Sequence, residues 1–290
     1  MLQLVVAGLT VGSAYALVAL GMHIILRATR VVNFAQGEFV ILGGLFALSF
    51  ANLFHGNMWL ALVAATLAGF ALGVVFELAV LRPAARRDEL AVAIATIGFS
   101  FILLYGHALL WGSLPEPLPP FSGTQAEAMT LGPIAVQVQS LWVLALLALA
   151  FAVLWWFSER TRFGKAIRAA AQNPTGARLV GINVAQARAI SVGIAIALAA
   201  FGGTIIGPIT LVGGAGGISI AIKGFVGAII GGIDSPIGCA IGGLLVGVIG
   251  KLLEGRFGFG VADPIVYSLM LLALIMRPQG LFGARGALRD

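Results

Sequence analysis

The stretch SERTRFGKAIRAAAQNPTGARLVGINVAQAR, residues 158–188, is the longest polar interval in a chain that is otherwise almost entirely apolar. Arg160, Arg162, Lys165, Arg168, Arg178 and Arg188 stand in it against one acid, Glu159. It also carries helix punctuation. The Ala-rich run from Phe163 to Gln172 reads as a short helix. Asn173 caps a second, and Pro174 takes its first position, where a missing N–H costs nothing. Gly181 is a C-terminal stop, and Asn183 is placed to cap the apolar segment that follows. A basic helical hairpin between two apolar runs is either a docking platform for another protein or a loop that only sets orientation. An orienting loop needs no internal caps, which favours docking.

The runs on either side decide the fold class. Leu141–Phe157 precedes the stretch and Ala189–Pro208 follows it, and both are continuous apolar segments. The whole chain has 290 residues, of which 60% are hydrophobic and 10% charged, whereas soluble domains carry about 25% charged residues. Mean hydropathy is +1.06. The expected class is all-α, a polytopic membrane protein with about eight to ten transmembrane or re-entrant helices. The apolar runs do not alternate as the strands of a membrane β-barrel do. The net charge of +6 does not point to nucleic acid, because the bases sit at the ends of spans. Cys239 is the one cysteine, which excludes an intrachain disulfide and a cysteine metal cluster. MLQLVVAG at the start has no basic region of a cleaved signal peptide and is read as the opening of the first span.

Toward the N-terminus, Leu2–Leu26 is long enough to cross a bilayer core, which takes about 20 residues. Thr10, Ser13, Tyr15 and His23 interrupt it, and Gly8 and Gly12 form a small-residue pair for close helix approach. Asn33, Gln36, Gly37 and Glu38 follow. Polar groups at membrane depth usually face a cavity or another helix, and Gly37 before Glu38 suggests a helix begun partway through the membrane. Equally, Val31 to Glu38 reads as a lead-in to the second span. Met58–Leu81 is the third span, with Gly69 and Gly73 as a packing pair and Glu77 expected to snorkel to Arg82 or Arg86. Leu90–Trp111 is the fourth, with His107 expected at its outer interface. Gly112–Ser140 holds Pro115, Pro117, Pro119, Pro120 and Pro133 with no Lys or Arg, the composition of an external loop.

Toward the C-terminus, residues 202–232 hold eleven of the 40 glycines. Ile220–Gly232 is too short for a full crossing and reads as a short or broken helix. Lys223 is expected at the outer interface. Asp234 and Ser235 make a turn and cap before Pro236–Leu252, which carries Gly238/Gly242 and Gly243/Gly247. Lys251, Glu254, Arg256 and Asp263 read as an outer loop, and Pro264–Met276 is the last of nine apolar segments. With the N-terminus outside and the C-terminus inside, the inner side holds 14 of 17 basic residues, as the positive-inside rule requires. These are Arg27, Arg30, Arg82, Arg86, Arg87, the six of residues 158–188, Arg277, Arg285 and Arg289. The whole chain is read as one permease domain, residues 1–290, with the polar loop at 158–188.

Enzyme signatures are missing: the sequence has no GxxxxGK[ST] phosphate loop, no HExxH and no GxSxG. The expectation is a conduit, with no catalytic residues, no metal and no cofactor of its own. GLTVGSAYALVALGMHII…RVVNFAQGEFVILGG, FGKAIRAAAQNPTGARLVGIN, AIKGFVGAIIGGIDSPIG and RPQGLFG together resemble the permease subunits of branched-chain amino acid ABC importers, specifically the H-type. The resemblance implies two cytoplasmic ATPase subunits that bind the ATP, a second permease of the M-type forming a heterodimer, and a periplasmic solute-binding protein. It implies a place in the lipid bilayer of the bacterial cytoplasmic membrane and alternating access. It makes 158–188 the coupling segment, with Phe163, Gly164, Ala166, Arg168, Asn173, Ala177, Arg178, Gly181 and Ile182 matching the family's motif. Ser13, Tyr15, Asn33, Gln36, Gly37 and Glu38 become candidates for the solute pathway. Phe34 also belongs to the matching N-terminal motif. Asp234 and Cys239 depart from the family's usual Gly, Ala and Pro. An ion-coupled secondary transporter using Glu38, Glu77 or Lys223, or a membrane scaffold, are the competing readings.

Overall fold

A computed structural model describes every residue except 124–126, 132–133, 278 and 283–290. Pro133, Arg285 and Arg289 therefore lie outside the described residues. The elements in chain order are α1 (Leu2–Thr29), α2 (Gln36–Leu53), α3 (Met58–Phe76), α4 (Arg82–Ala84), α5 (Glu89–Trp111), β1 (Ala128–Leu131), β2 (Ile134–Gln137), α6 (Val138–Arg160), α7 (Arg162–Gln172), α8 (Pro174–Leu179), α9 (Val184–Thr210), α10 (Gly217–Gly231), α11 (Pro236–Phe257) and α12 (Phe259–Met276). A π-helical turn, Glu77–Leu81, joins α3 to α4 in one continuous rod. Among the described residues seven helices are long and apolar enough to cross a membrane, and two shorter apolar ones accompany them. That is the polytopic all-α architecture expected, with the apolar segments where the sequence puts them.

Burial ranks the helices. In α9 72% of the best apolar window is inside the protein, against 22% in α5 and in α6. Helices α1, α2 and α9 thus form the centre, and α5 and α6 turn most of their apolar surface outward. Glycine sets how closely the central rods approach. Gly8 and Gly12 of α1 lie against Gly247, Val248 and Leu244 of α11, and a Cβ on Gly8 would come within 2.6 Å of Val248 Cα. Gly69 and Gly73 pack on α9, where Gly73 meets Gly193. Gly227 of α10 meets Gly243 of α11, while Gly231 and Gly238 face each other across the turn between those helices. With no side chain between them, backbones touch directly and dispersion replaces the hydrophobic drive that lipid cannot supply.

Helix α10 has 15 residues, about 22 Å at 1.5 Å per residue, so it is short as its composition suggested. Its end is closed from outside: Leu281 N–H donates to Ile230 O and Phe282 N–H to Gly231 O, each at 2.9 Å. These bonds give the RPQGLFG motif a structural purpose, because the last carbonyls of a helix otherwise lack donors. Ser235 caps α11 by accepting from Gly238 N–H at 3.1 Å, with Pro236 at the first helical position. At the far end of the bundle the Pro-rich segment is pinned by a bridge in which Glu116 N–H donates to Val212 O at 2.8 Å and Val212 N–H to Glu116 O at 2.9 Å. The β1–β2 hairpin beside it was not anticipated.

Four placements differ from the sequence reading. Helix α11 runs on to Phe257 and α12 starts at Phe259, so Lys251, Glu254, Arg256 and Asp263 stand on helices. Lys223 is paired with an acid: its Nζ lies 2.8 Å from Asp263 Oδ1 and over the Tyr15 ring. His107 is 2% exposed, within the protein. Glu77 is fully buried, and Arg188 reaches in to it rather than Glu77 reaching out. For Lys223 and Glu77, a charge that the chain cannot leave bare at depth has found a partner on another helix.

Candidate functional site

The polar stretch folds as its punctuation dictates. Thr161 caps α7, its hydroxyl accepting from Gly164 N–H at 3.0 Å. Asn173 caps α8 by accepting from Gly176 N–H at 2.9 Å. Gly181, at φ +82°, turns the chain, and Ile182 N–H closes back on Ala177 O at 2.9 Å. Asn183 then caps α9 through Gln186 N–H at 3.0 Å. Ala170, Ala177 and Ala187 make a small core of their own, with Ile167, Ile182 and Val184 packed on it. Gly164 is required by proximity, since a Cβ there would run into the last turn of α6 at Phe157 and Ser158. The hairpin is therefore a rigid unit continuous with α9.

Its surface is apolar as well as basic. Phe163 is 59% exposed, Leu179 84% and Val180 75%. Arg178 is exposed beside them. Arg168 pairs with Glu159. Large exposed side chains in one patch, ringed by charge, mark an interaction surface. Arg188 is the exception among the six bases. Its Nε lies 2.8 Å from Glu77 Oε1 at the π turn, with Arg82 Nε 3.8 Å from the same oxygen. Arg82 in turn donates to Ala185 O at 3.1 Å. The base of the hairpin is thus clamped to the α3–α4 rod.

The six pathway candidates do not form one group. Ser13 is buried and donates to Leu9 O within its own helix at 2.9 Å. Tyr15 faces α10 and Lys223. The segment that links α1 to α2, the alternative lead-in to the second span, packs Asn33, Ala35 and Gln36 into the protein. Asn33 accepts from Ala35 N–H and donates to Gln36 Oε1, both at 3.1 Å, and Gln36 donates to Ala195 O of α9 at 3.0 Å. Asn33 and Gln36 are thereby spent on fixing the start of α2. Gly37 has no room for a side chain, because α10 crosses it at Gly217 and Ala221. Glu38 is different: it is 1% exposed, and neither carboxylate oxygen has a hydrogen-bond partner. Nε2 of His107, on α5, is 3.6 Å away.

Around Glu38 and His107 lie two polar residues the sequence reading missed, Thr96 and Ser100. The buried face of α5 consists of Val92, Thr96, Ser100 and His107. Those positions share one side of a helix at about 100° per residue, a signal hidden by the apolar residues around them. Thr96 accepts from Phe34 N–H at 3.5 Å. Ser100 borders an apolar cleft walled also by Phe34, Phe101, Ala221, Ile222 and Phe225. An aromatic cluster of Phe39, Phe76 and Phe99, with ring centroids 4.7–6.2 Å apart, separates it from the Glu77 clamp.

A many-helix membrane bundle with a glycine-packed centre, a buried polar seam and a rigid basic hairpin at one end is the membrane part of a transporter. The family model described as branched-chain amino acid transport system / permease component matches residues 4–276, and the chain belongs to that family. It is 32% identical over 294 residues to the high-affinity branched-chain amino acid transport system permease protein BraD of Pseudomonas aeruginosa, covering 97% of this chain and 95% of the relative. LivH of Escherichia coli K12 is 30% identical over 297 residues with the same coverage. A probable LivH of Methanocaldococcus jannaschii is 31% identical over 92% of this chain and 88% of its own. The solved structure of PsaBC from Streptococcus pneumoniae in complex with Fab shares the fold at a TM-score of 0.50 and 11% identity, covering 95% of this chain and 92% of that one. The resemblance drawn from the four motifs holds, and the chain is an importer permease rather than an ion-coupled carrier or a scaffold. Its role is transport.

Proposed function

We propose that the chain forms half of the membrane pathway of an ABC importer for branched-chain amino acids, moving them inward across the cytoplasmic membrane. The observation that carries this reading is the capped, rigid α7–α8 hairpin, exposed and basic, in a chain of this family. Two ATPase subunits bind the ATP, and the hairpin seats in a groove of the ATPase through Phe163, Gly164, Arg168, Asn173, Ala177, Arg178, Gly181 and Ile182, some by contact and the others by holding its shape. A second, M-type permease completes the pathway, and a periplasmic binding protein delivers the solute. The N-terminus lies outside and the C-terminus inside, which puts the hairpin on the ATPase side.

Closure of the ATPase subunits on ATP displaces the hairpin as a rigid body. Because its core runs into α9, the displacement reaches the central helices directly. Energetic coupling requires the ATPase to contact the two states of the permease differently. The test is affinity purification of the tagged chain in mild detergent, with mass spectrometry of what accompanies it and assay of ATP-driven leucine uptake in proteoliposomes. ATPase subunits, a second permease and uptake dependent on ATP are expected. Repeated recovery of the chain alone from more than one detergent would overturn the reading.

A further inference from the structure

We propose that Glu38 and His107 form a binding site for the ammonium group of the solute, with the adjoining apolar cleft receiving its side chain. This rests on the reading of the solute as an aliphatic amino acid.

Two carboxylates, Glu38 and Glu77, are fully buried among the described residues. Glu77 has two arginines. Among the described residues no Lys or Arg pairs with Glu38, and the imidazole of His107 stands 3.6 Å off, beyond hydrogen-bond reach. Both nitrogens of His107 lack partners as well. A buried carboxylate is stable as an anion only when a positive group or several donors face it, and the protein itself offers His107 alone, which is positive only when protonated. An ammonium ion supplies both the charge and three N–H donors. The carboxylate accepts from it, and a neutral imidazole has one acceptor nitrogen to add.

The surroundings are shaped for a molecule with one polar end. Gly217 opens α10 directly against the Glu38 carboxylate, where any side chain would strike it. One turn on, Ala221 forms the wall of the cleft, together with Phe225, Phe34 and Phe101. The cleft has a cavity volume of about 200 Å³, below the roughly 300–1,000 Å³ of pockets that enclose drug-sized molecules, and so is of a size for an aliphatic side chain. Ser100 borders the cleft and His107 stands two turns along the same face of α5. Glu38 and His107 do not line the cleft themselves; they adjoin it through Gly217–Ala221 of α10 and the Ser100 face of α5. A metal ion fits less well, because no group of three or more His, Cys, Asp or Glu exists among the described residues. Admission of the solute requires α5 to part from α2, and α5 is one of the two long helices least embedded in the protein.

The test uses the purified complex without nucleotide, its thermal midpoint read in detergent with three probes: 3-methylbutan-1-amine, 4-methylpentanoate and zinc chloride. The amine has the branched tail and the ammonium; the acid has the same tail with a carboxylate in place of the ammonium. The amine is expected to raise the midpoint by several degrees at millimolar concentration, with no response to the acid. Glu38→Gln should abolish the response, Glu38→Asp should keep part of it, and His107→Ala should weaken the half-saturating concentration about tenfold. Equal shifts with amine and acid, no shift with the amine, a larger shift with zinc, or a full amine response in Glu38→Gln would each overturn the proposal. Should Glu38→Gln fail to fold, the amine-to-acid comparison on the unaltered complex decides alone. Leucine uptake by the same complex tests the solute separately: its absence removes that reading, while the amine response still decides whether an ammonium binds at Glu38.

Discussion

Arg188 and Lys223 each answer a buried or half-buried acid, but the two pairs differ in what their loss exposes. Glu77 is fully buried, and Arg188 is its nearer cation at 2.8 Å. Removing one partner of a buried pair costs about 3–5 kcal/mol, mostly from the charge left behind. Arg82 remains 3.8 Å away, so Arg188→Ala is expected at the lower end, about 3 kcal/mol, read as a clear fall in thermal midpoint. Glu77→Gln combined with Arg188→Gln should recover more than half of it, since neither charge is then stranded. An unchanged midpoint in Arg188→Ala would show that the clamp is not formed. Asp263 is 33% exposed and can take up water, so Lys223→Met is expected to cost no more than about 1 kcal/mol. Neither pair was legible in the sequence. A lone charge in an apolar run announces that it needs a partner, but only packing says which distant residue provides it. Glu77 was assigned to Arg82 or Arg86 because they are near in the chain; Arg82 does stand 3.8 Å away, but Arg188 is the nearer partner. Arg188 comes from α9, which crosses α3 at Gly73 and Gly193 and so arrives beside it.

At the scale of the helix, what was legible is what local rules govern. Uninterrupted apolar runs located the spans, and Asn173, Asn183, Ser235 and Gly181 set ends where the structure has them. The glycine pairs also pointed correctly to close crossings, although not to the partner helix. Thr96 and Ser100 escaped, and His107 was set at the outer interface, because their neighbours on α5 are apolar on every side. Glycines on α1 and on α5 make a controlled comparison. A Cβ at Gly12 would come within 2.9 Å of Leu244 O and 3.0 Å of Leu244 Cα, all backbone of α11. At Gly98 and Gly106 of α5 it would meet nothing within 4 Å. Gly12→Val should therefore push α1 from α11, at a cost of about 1–3 kcal/mol typical of overpacking, and lower the yield of folded protein. Gly98→Ala and Gly106→Ala should be neutral or gain up to about 1 kcal/mol, since glycine is the weaker helix former. A Gly12→Val protein as stable as the parent, measured by thermal midpoint in the same detergent, would remove close backbone packing as the organising feature of the centre.

At the scale of the whole molecule, the hairpin, α9 and the α3–α4 rod form one mechanical path. The hairpin's core of Ala170, Ala177 and Ala187 reaches into α9, and Arg188 fastens α9 to the π turn at Glu77. Helix α9 then packs on α1, α2 and α3, so a displacement of the hairpin is shared by the centre of the bundle rather than absorbed in a loop. The exposed groups at the start of that path are Phe163, Arg178, Leu179 and Val180. Arg178 follows the cap of α8 and makes no ion pair among the described residues, so reversing its charge alters the surface and leaves the hairpin's internal bonds alone. Arg168 is a less clean probe, because it already pairs with Glu159. Arg178→Glu is expected to lower ATP-driven uptake at least tenfold and to abolish the rise in ATP hydrolysis caused by solute-loaded binding protein, with the thermal midpoint of the permease unchanged. Arg256→Glu, exposed at the end of α11 far from the hairpin, should leave both activities as they are. The contrast separates docking from a general effect of charge: if Arg178→Glu retains solute-stimulated hydrolysis and uptake, the ATPase does not push here, and force must enter the bundle at another surface.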